Sequence, residues 1–580
     1  MKFALRALCG AVVLSFSGAA FADSVKDTIA LEMSFIKRVF ETGYAPTEWK
    51  KEHLNWDLQA EYQQAMEDLN SMTEVTARDY RRLIAGLLTS TKDYHVGFTF
   101  FTTEAASLPF LINGTNGKYY VVRVDKSKLD QKSFPIKVGD RIVTFGGRPI
   151  ADVIEEIRTQ IAWGEASTDQ RLAERLLTRR LAAMALDVPQ GRVEVEFARM
   201  ASDAGKSDNS TGAQKETSFT LQFTWEYTPE SVPWNPQAHS TRLSLARSES
   251  KQTGFLNPQM RWGMSDILAA PKHDKGEDED NFVIGGRKSF VPQLGPVVWE
   301  AQKKDKFHAY VYKADGGRLI GYIRIPHYSE NTATFEAFKA LIKKMEPITD
   351  ALVIDQVNNP GGSIFYVLSL MSVLSKDPIK VPDHHITLWP AMISEVHELR
   401  EKLRDVKNDK DARKAMGEEK MDGYPVNFQF AQSLLGFTDE VMAQWKEKRT
   451  FTTPLHLWGV DKVNPDAEVN YTKPILVLVN ELDFSGGDFF PAILQDNVRA
   501  KIFGQRTSGA GGYVLQVEFP SALGLKSFSF TGSLARRVNN QPIENLGVTP
   551  DIPYTYTERD LREGFVDYKD AVNKAVLGLL

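Results

Sequence analysis

Between Lys473 and Gly512 a strand, a glycine turn and a helix follow one another directly, and this stretch limits the fold more than any other. Pro474-Ile475-Leu476-Val477-Leu478-Val479 is apolar and rich in β-branched residues, as in a strand buried on both faces of a parallel sheet. A short polar break, Asn480 to Asp483, leads into Phe484-Ser485-Gly486-Gly487-Asp488. Phe490, Ile493 and Leu494 then recur at helical spacing, which predicts a helix from Phe489. Ser485 therefore stands where a strand turns into a helix. Amide N–H groups and the helix dipole at such a point stabilise negative charge, which acyl transfer develops on a carbonyl oxygen. The same residues also suit a plain N-cap in a tight turn. Because Asp483 takes the place of the first glycine, the Gly-x-Ser-x-Gly elbow is not matched. Both readings stay open on these residues alone.

The N-terminus is a separate matter. Lys2 and Arg6 precede the apolar run Ala11 to Phe16, and Ala20-Phe21-Ala22 forms a small-x-small site before Asp23. Residues 1–22 read as a secretory signal peptide, so the protein is expected to be exported, to the periplasm or beyond the cell. The single cysteine, Cys9, lies inside that segment, which leaves the mature chain without disulfides or thiol chemistry. Loss of Lys2 and Arg6 takes the net charge from −5 to −7. A mildly acidic chain without a basic cluster argues against nucleic acid as a partner. No second long apolar run occurs, so no membrane span is expected in the mature form.

Residues 23–100 read as an N-terminal helical region. Ile29, Met33, Ile36 and Phe40 recur at helical spacing, as do Tyr80, Leu83 and Leu87, before Phe98 to Thr102 turns to β. His95 stands at that helix-to-strand junction, where a capping or packing role is the ordinary expectation. Residues 101–200 combine short strands and helices, with Gly146-Gly147 joining a strand pair. Ile136-Lys137-Val138-Gly139-Asp140-Arg141-Ile142 resembles the second half of a PDZ domain, whereas Leu108-Pro109-Phe110 lacks the glycines of its carboxylate loop. Residues 201–305 form an irregular insert with the charge run Lys275 to Asn281. From 306 to 580 strands and helices alternate, which predicts an α/β layered domain with a largely parallel sheet. A helical and aromatic insertion interrupts it at 380–470, and its His384-His385 pair is read as structural because no second ligand set has the right spacing.

Two strand-to-glycine-turn units, Asp355 to Gly362 and Asn480 to Asp488, should face each other at the carboxyl edge of one sheet, where α/β proteins bind ligands. A third turn is Ile543-Glu544-Asn545-Leu546-Gly547-Val548-Thr549-Pro550-Asp551. With the Asp-x-x-x-Asn-Pro-Gly-Gly turn, Phe-Ser-Gly-Gly-Asp, Asp496, Thr507-x-Gly-x-Gly and Glu-x-x-Gly-Val-x-Pro-Asp, the chain resembles the S41 family of serine peptidases. That family comprises the C-terminal processing peptidases and the tricorn core proteases. The resemblance implies a multidomain α+β protein with a ClpP/crotonase-like core. The processing peptidases place a lysine base where this chain has Ala510, and Lys501 lies elsewhere. The tricorn-like branch takes a histidine from the N-terminal part and a glutamate before Gly-x-x-Pro-Asp, positions held by His95 and Glu544. Tyr94 stands where tricorn has an assisting serine.

The resemblance thus implies a serine endopeptidase acting on proteins or peptides without metal or cofactor. Ser485 is its nucleophile, His95 its base and Glu544 the orienting carboxylate. Gly486 and Gly361 or Gly362 supply the oxyanion-hole amides. A homodimer and a self-inhibited zymogen with a processed internal segment are also implied by the resemblance, through one member of the family that is made so. Trp225, Trp234, Phe255 and Trp262 offer the apolar area to fill a cleft, or else pack on the PDZ-like part. A non-catalytic binding protein on the same fold is the alternative.

Overall fold

The computed structural model describes residues 25–580 apart from 131, 162, 201–215, 233, 235–258, 262–281, 520 and 522, with backbone alone at 259–261. The signal peptide, the charge run, Phe255 and Trp262 lie outside the described residues.

The strand read at Pro474 to Val479 is Ile475–Val479, and it sits mid-sheet. Seven strands form this sheet, in the order Val297–Glu300, Ala309–Lys313, Leu319–Arg324, Ala351–Asp355, Ile475–Val479, Lys501–Gly504 and Ile552–Pro553. The first three pair antiparallel and the rest parallel, with Ile354 opposite Val477 and Val477 opposite Ile502. The apolar run is explained by burial on two sides. Leu352, Ile354, Ile475, Val477 and Val479 join one core with Thr332–Met345, Ile364–Ser372 and Gly486–Asp496. Ala351, Val353, Leu476 and Leu478 face the other way, onto Tyr568, Val572 and Val576 of Val566–Leu577.

The N-terminal region is helical as the spacing predicts: Val25–Gly43, Thr47–Leu54, Leu58–Ser71 and Ala77–Thr89. It closes onto the far end of the chain, where Phe98–Phe100 pairs antiparallel with Leu525–Thr531, Phe98 opposite Phe528. That pairing, in a three-stranded sheet of its own, fixes residues 93–97 beside Leu525–Thr531.

The PDZ-like sheet holds Phe110–Thr115, Lys118–Val124, Arg141–Phe145, Arg192–Met200 and Glu216–Thr224, so its last strand lies beyond residue 200. Its helix Ala166–Leu177 docks on the core: the Arg171 guanidinium reaches Glu481 at 2.5 Å and Thr168 Oγ1 donates to the Glu481 carbonyl at 2.8 Å. Trp225 is buried at this domain's edge against Phe145, and the Trp234 indole N–H donates to the Leu523 carbonyl at 3.0 Å. Trp225 thus packs on the PDZ-like part, while Trp234 lines a groove with Leu523 and Gly524. The insertion packs its helices Pro390–Leu403 and Phe428–Lys446 into the core. His384 there meets Ser533 Oγ at 3.0 Å and stacks on Phe489, a structural setting.

Candidate active site

Ser485 is fully buried and precedes the helix Gly486–Asp496, with φ 57° and ψ −112°. An L-residue adopts that conformation only when its surroundings impose it, and such strain gathers at functional turns. Its amide donates to Asp488 Oδ2 at 2.7 Å, while its Oγ has no hydrogen-bond partner. Ser485 thus holds the N-cap position, with Asp488 reaching back to its amide, but its own hydroxyl makes no capping bond.

Asp488 holds the turn together. Besides the Ser485 amide it accepts from Thr507 Oγ1, from the Gly509 amide at 2.8 Å and from the Ala510 amide at 3.0 Å. Burial pushes its pKa up to about 6, against the pull of these donors. The Thr507-x-Gly-x-Gly motif is thus a loop wrapped around one carboxylate. Its last glycine, Gly511, lies so close to the next turn that a Cβ would stand 2.1 Å from the Glu544 amide nitrogen.

The two glycine turns do meet. A Cβ on Gly486 would lie 3.2 Å from both Gly361 Cα and Gly362 N. Gln356 ties the turns further, donating to the Gly487 carbonyl at 2.7 Å and to Asp483 at 3.1 Å. Of the two oxyanion candidates on this side, Gly361 spends its amide on Asn359 Oδ1 at 2.9 Å. Gly361–Ser363 also pairs antiparallel with Gln259–Arg261, Met260 standing opposite Gly362. The Gly361 carbonyl and the Ser363 amide bond to Tyr328 on the other side, which turns the Gly362 amide toward Met260.

His95 is fully buried, and neither ring nitrogen has a partner. Its backbone is tightly held: its amide donates to Asp93 Oδ1 at 2.8 Å and its carbonyl accepts from Ser529 Oγ at 2.7 Å. Asp93 in turn accepts from Tyr44 Oη at 2.9 Å and Thr531 Oγ1 at 2.6 Å. Burial lowers the His95 pKa to about 4, Asp93 pulling it up and Lys50 pushing it down. The imidazole is therefore neutral at physiological pH. Tyr94 faces elsewhere, its hydroxyl donating to Asp169 at 2.9 Å, while its ring meets the Phe484 ring edge-on at 5.3 Å. The residues preceding His95 and Ser485 are thus in contact.

Asp93, His95 and Glu544 bring ligand atoms within 4.8 Å of one another. That spacing would suit a cation, and a cation is present: Lys50 Nζ lies 2.5 Å from Glu544 Oε1, both side chains fully buried. Glu544 Oε2 accepts from the Gly511 amide at 2.9 Å. Burial and the nearby Asp93 push Glu544 up to about 7, while Lys50 opposes them. Glu544 does not hydrogen-bond His95, although ligand atoms of the two lie within 4.8 Å. Sequence reasoning missed Lys50, because one of two adjacent lysines in the polar helix Thr47–Leu54 carries no signal. Asp93 had one, its place in the Asp93-Tyr94-His95 turn. Lys501 pairs with Asp551 at 3.2 Å at a half-exposed position, and Asp496 with Arg537.

Residues 319–554 match the model of peptidase family S41, and residues 104–232 match that of a PDZ domain. A protein of Chlamydia muridarum (strain MoPn / Nigg) is 34% identical over 579 residues, covering 95% of this chain and 92% of its own length. A protein of Chlamydia trachomatis serovar D is 32% identical over 577 residues, with the same coverage of 95% and 92%. Among solved structures, mature CPAF, the chlamydial protease-like activity factor, matches with TM-score 0.80 and 31% identity over 96% of this chain and 98% of that one. The complex of mature CPAF with lactacystin matches at TM-score 0.79, also 31% identical, over 96% and 99%. With its core sheet, its facing glycine turns and these relatives, the chain is a serine-type peptidase and belongs to peptidase family S41.

Proposed function

We propose an exported endopeptidase, made in a self-inhibited form, that cleaves proteins through Ser485, His95 and Glu544. One observation carries the reading: Ser485 Oγ and both His95 ring nitrogens are fully buried and unpartnered. An unsatisfied buried polar group costs about 1–3 kcal/mol, so three such atoms on two residues whose neighbours Tyr94 and Phe484 touch are kept for use with a substrate. Ser485 Oγ attacks the scissile carbonyl and His95 takes its proton. The same proton then passes to the departing amine, leaving an acyl-enzyme that water hydrolyses by the reverse relay. Glu544 stabilises the imidazolium. The Gly486 amide and, once the Met260 strand has left it, the Gly362 amide receive the oxyanion, since Gly361 is engaged by Asn359.

The pairing of Gln259–Arg261 with Gly361–Ser363 supports the self-inhibited form. A substrate backbone would add as a strand along that edge, and the chain's own segment now occupies it beside a sealed serine. Residues 1–22 support export by composition. A fluorophosphonate probe, followed by peptide mapping, tests the whole reading. Label should appear on Ser485 only after concentrated protein has been incubated and cut between residues 201 and 305. Ser485→Ala should stay whole and unlabelled. An intact wild type that labels fully at the first moment removes self-inhibition, and a folded, processed chain that never labels removes the serine mechanism.

A further inference from the structure

Nothing in the proposed reaction uses Lys50, yet it is the most tightly committed side chain near the histidine. An ammonium group has three N–H bonds. Each finds an acceptor here: Glu544 Oε1 at 2.5 Å, Asn545 Oδ1 at 2.7 Å and the Lys92 carbonyl at 2.8 Å. Asn545 closes the triangle by donating its Nδ2 to the same Lys92 carbonyl at 2.8 Å. One cation thereby links the helix Thr47–Leu54, the turn that carries His95 and the turn that carries Glu544. With every proton donated, Lys50 is no base. A tether alone would need only the carbonyl and the amide, and the carboxylate is the added feature.

We propose that Lys50 is a positioning residue of the reaction, holding Glu544 ionised at a fixed distance from His95. This rests on the Ser485–His95–Glu544 reading. The charged and titratable groups around the cluster are Asp93, His95, Glu544 and Tyr44, with His53 and Arg506 farther out. Lys50 lowers the pKa of both Glu544 and His95. Removing its charge therefore raises both. The working state needs a neutral imidazole beside an ionised carboxylate, and it is then reached only at higher pH.

The test is the pH profile of kcat/KM on fluorescein-labelled casein, using full chain incubated until its activity is constant. Lys50→Met should move the acidic limb upward by about one pH unit or more, the ordinary effect of removing a close opposite charge. Lys50→Arg should return the limb to its wild-type place, even if turnover stays low, because the charge is kept. An unmoved limb in Lys50→Met overturns the proposal, and so does a limb that Lys50→Arg fails to return. If Lys50→Met shows no cooperative thermal unfolding, Asn545→Asp decides instead. It keeps the lysine, adds a negative charge, and must also raise the limb; an unmoved limb there overturns the proposal equally. Turnover surviving in Ser485→Ala would strike the serine reading itself, a result separate from any limb shift.

Discussion

The serine half and the histidine half of the site are built by opposite means. Around Ser485 the contacts come from two glycine turns and one loop, residues 356–363, 480–488 and 507–511, and each of these hydrogen bonds has a backbone group at one end. Around His95 the contacts come from Lys50, Tyr44, Asp93, Ser529, Thr531 and Glu544, nearly all of them side chains. Lys50 and Glu544 are 494 residues apart. A backbone-built half is rigid because its groups are fixed by the fold. A half built from distant side chains depends on how domains dock, and here it leaves an imidazole without a partner.

The largest expected effect breaks the serine half chemically while leaving it sound structurally. Ser485→Gly should lower kcat/KM by about 10⁶-fold, as loss of a triad serine does elsewhere. The same change should raise stability by about 1 kcal/mol, because φ 57° with ψ −112° suits glycine and no side-chain bond is lost. Thermal unfolding and casein hydrolysis measure the two. An inactive but destabilised variant would mean that Ser485 is structural after all.

The next effect falls on the fold. Asp488→Asn keeps the shape but presents an amide where two acceptor oxygens served five donors from Ser485, Thr507, Ser508, Gly509 and Ala510. Two buried N–H groups would face another donor, at about 1–3 kcal/mol each, or about 4 kcal/mol together. Denaturant midpoints in a Ser485→Ala background would show the loss. A change below about 1 kcal/mol would mean that the loop needs no central carboxylate.

This division also explains what the sequence could tell. The Ile475–Val479 strand, the facing turns and the PDZ-like hairpin depend on local pattern, and they were legible. Ser485, His95 and Glu544 were found by ordered motifs, each tied to a turn. Lys50 was not, since a lysine in a mostly polar helix reads as solvent-facing until docking buries it. Gly361 and Gly362 could not be told apart, because Asn359 engages the first amide and the strand at Met260 faces the second, and neither partner is legible in the sequence. The strand Gln259–Arg261 lies in a stretch without alternation and exists through its partner.

The smallest effect sharpens the contrast away from the chemistry. Glu32, on Val25–Gly43, is buried with two donors, Tyr80 Oη and Ser521 Oγ, each at 2.6 Å. Burial outweighs them and raises its pKa from 4.5 to about 7. The folded state thus holds this proton more tightly than the unfolded chain does. Its stabilising contribution is complete below pH 4.5 and fades as pH rises through about 7. At about 1.4 kcal/mol per unit the change amounts to at most about 3 kcal/mol. Glu32→Gln stays neutral throughout, so relative to wild type it should gain stability between pH 4.5 and 8. Denaturant midpoints at the two pH values, again in Ser485→Ala, measure that gain. A difference between the two proteins that does not change with pH would show that two hydroxyl donors suffice to hold an ionised carboxylate. The side-chain-built half would then tolerate buried charge as well as the turn around Asp488 does.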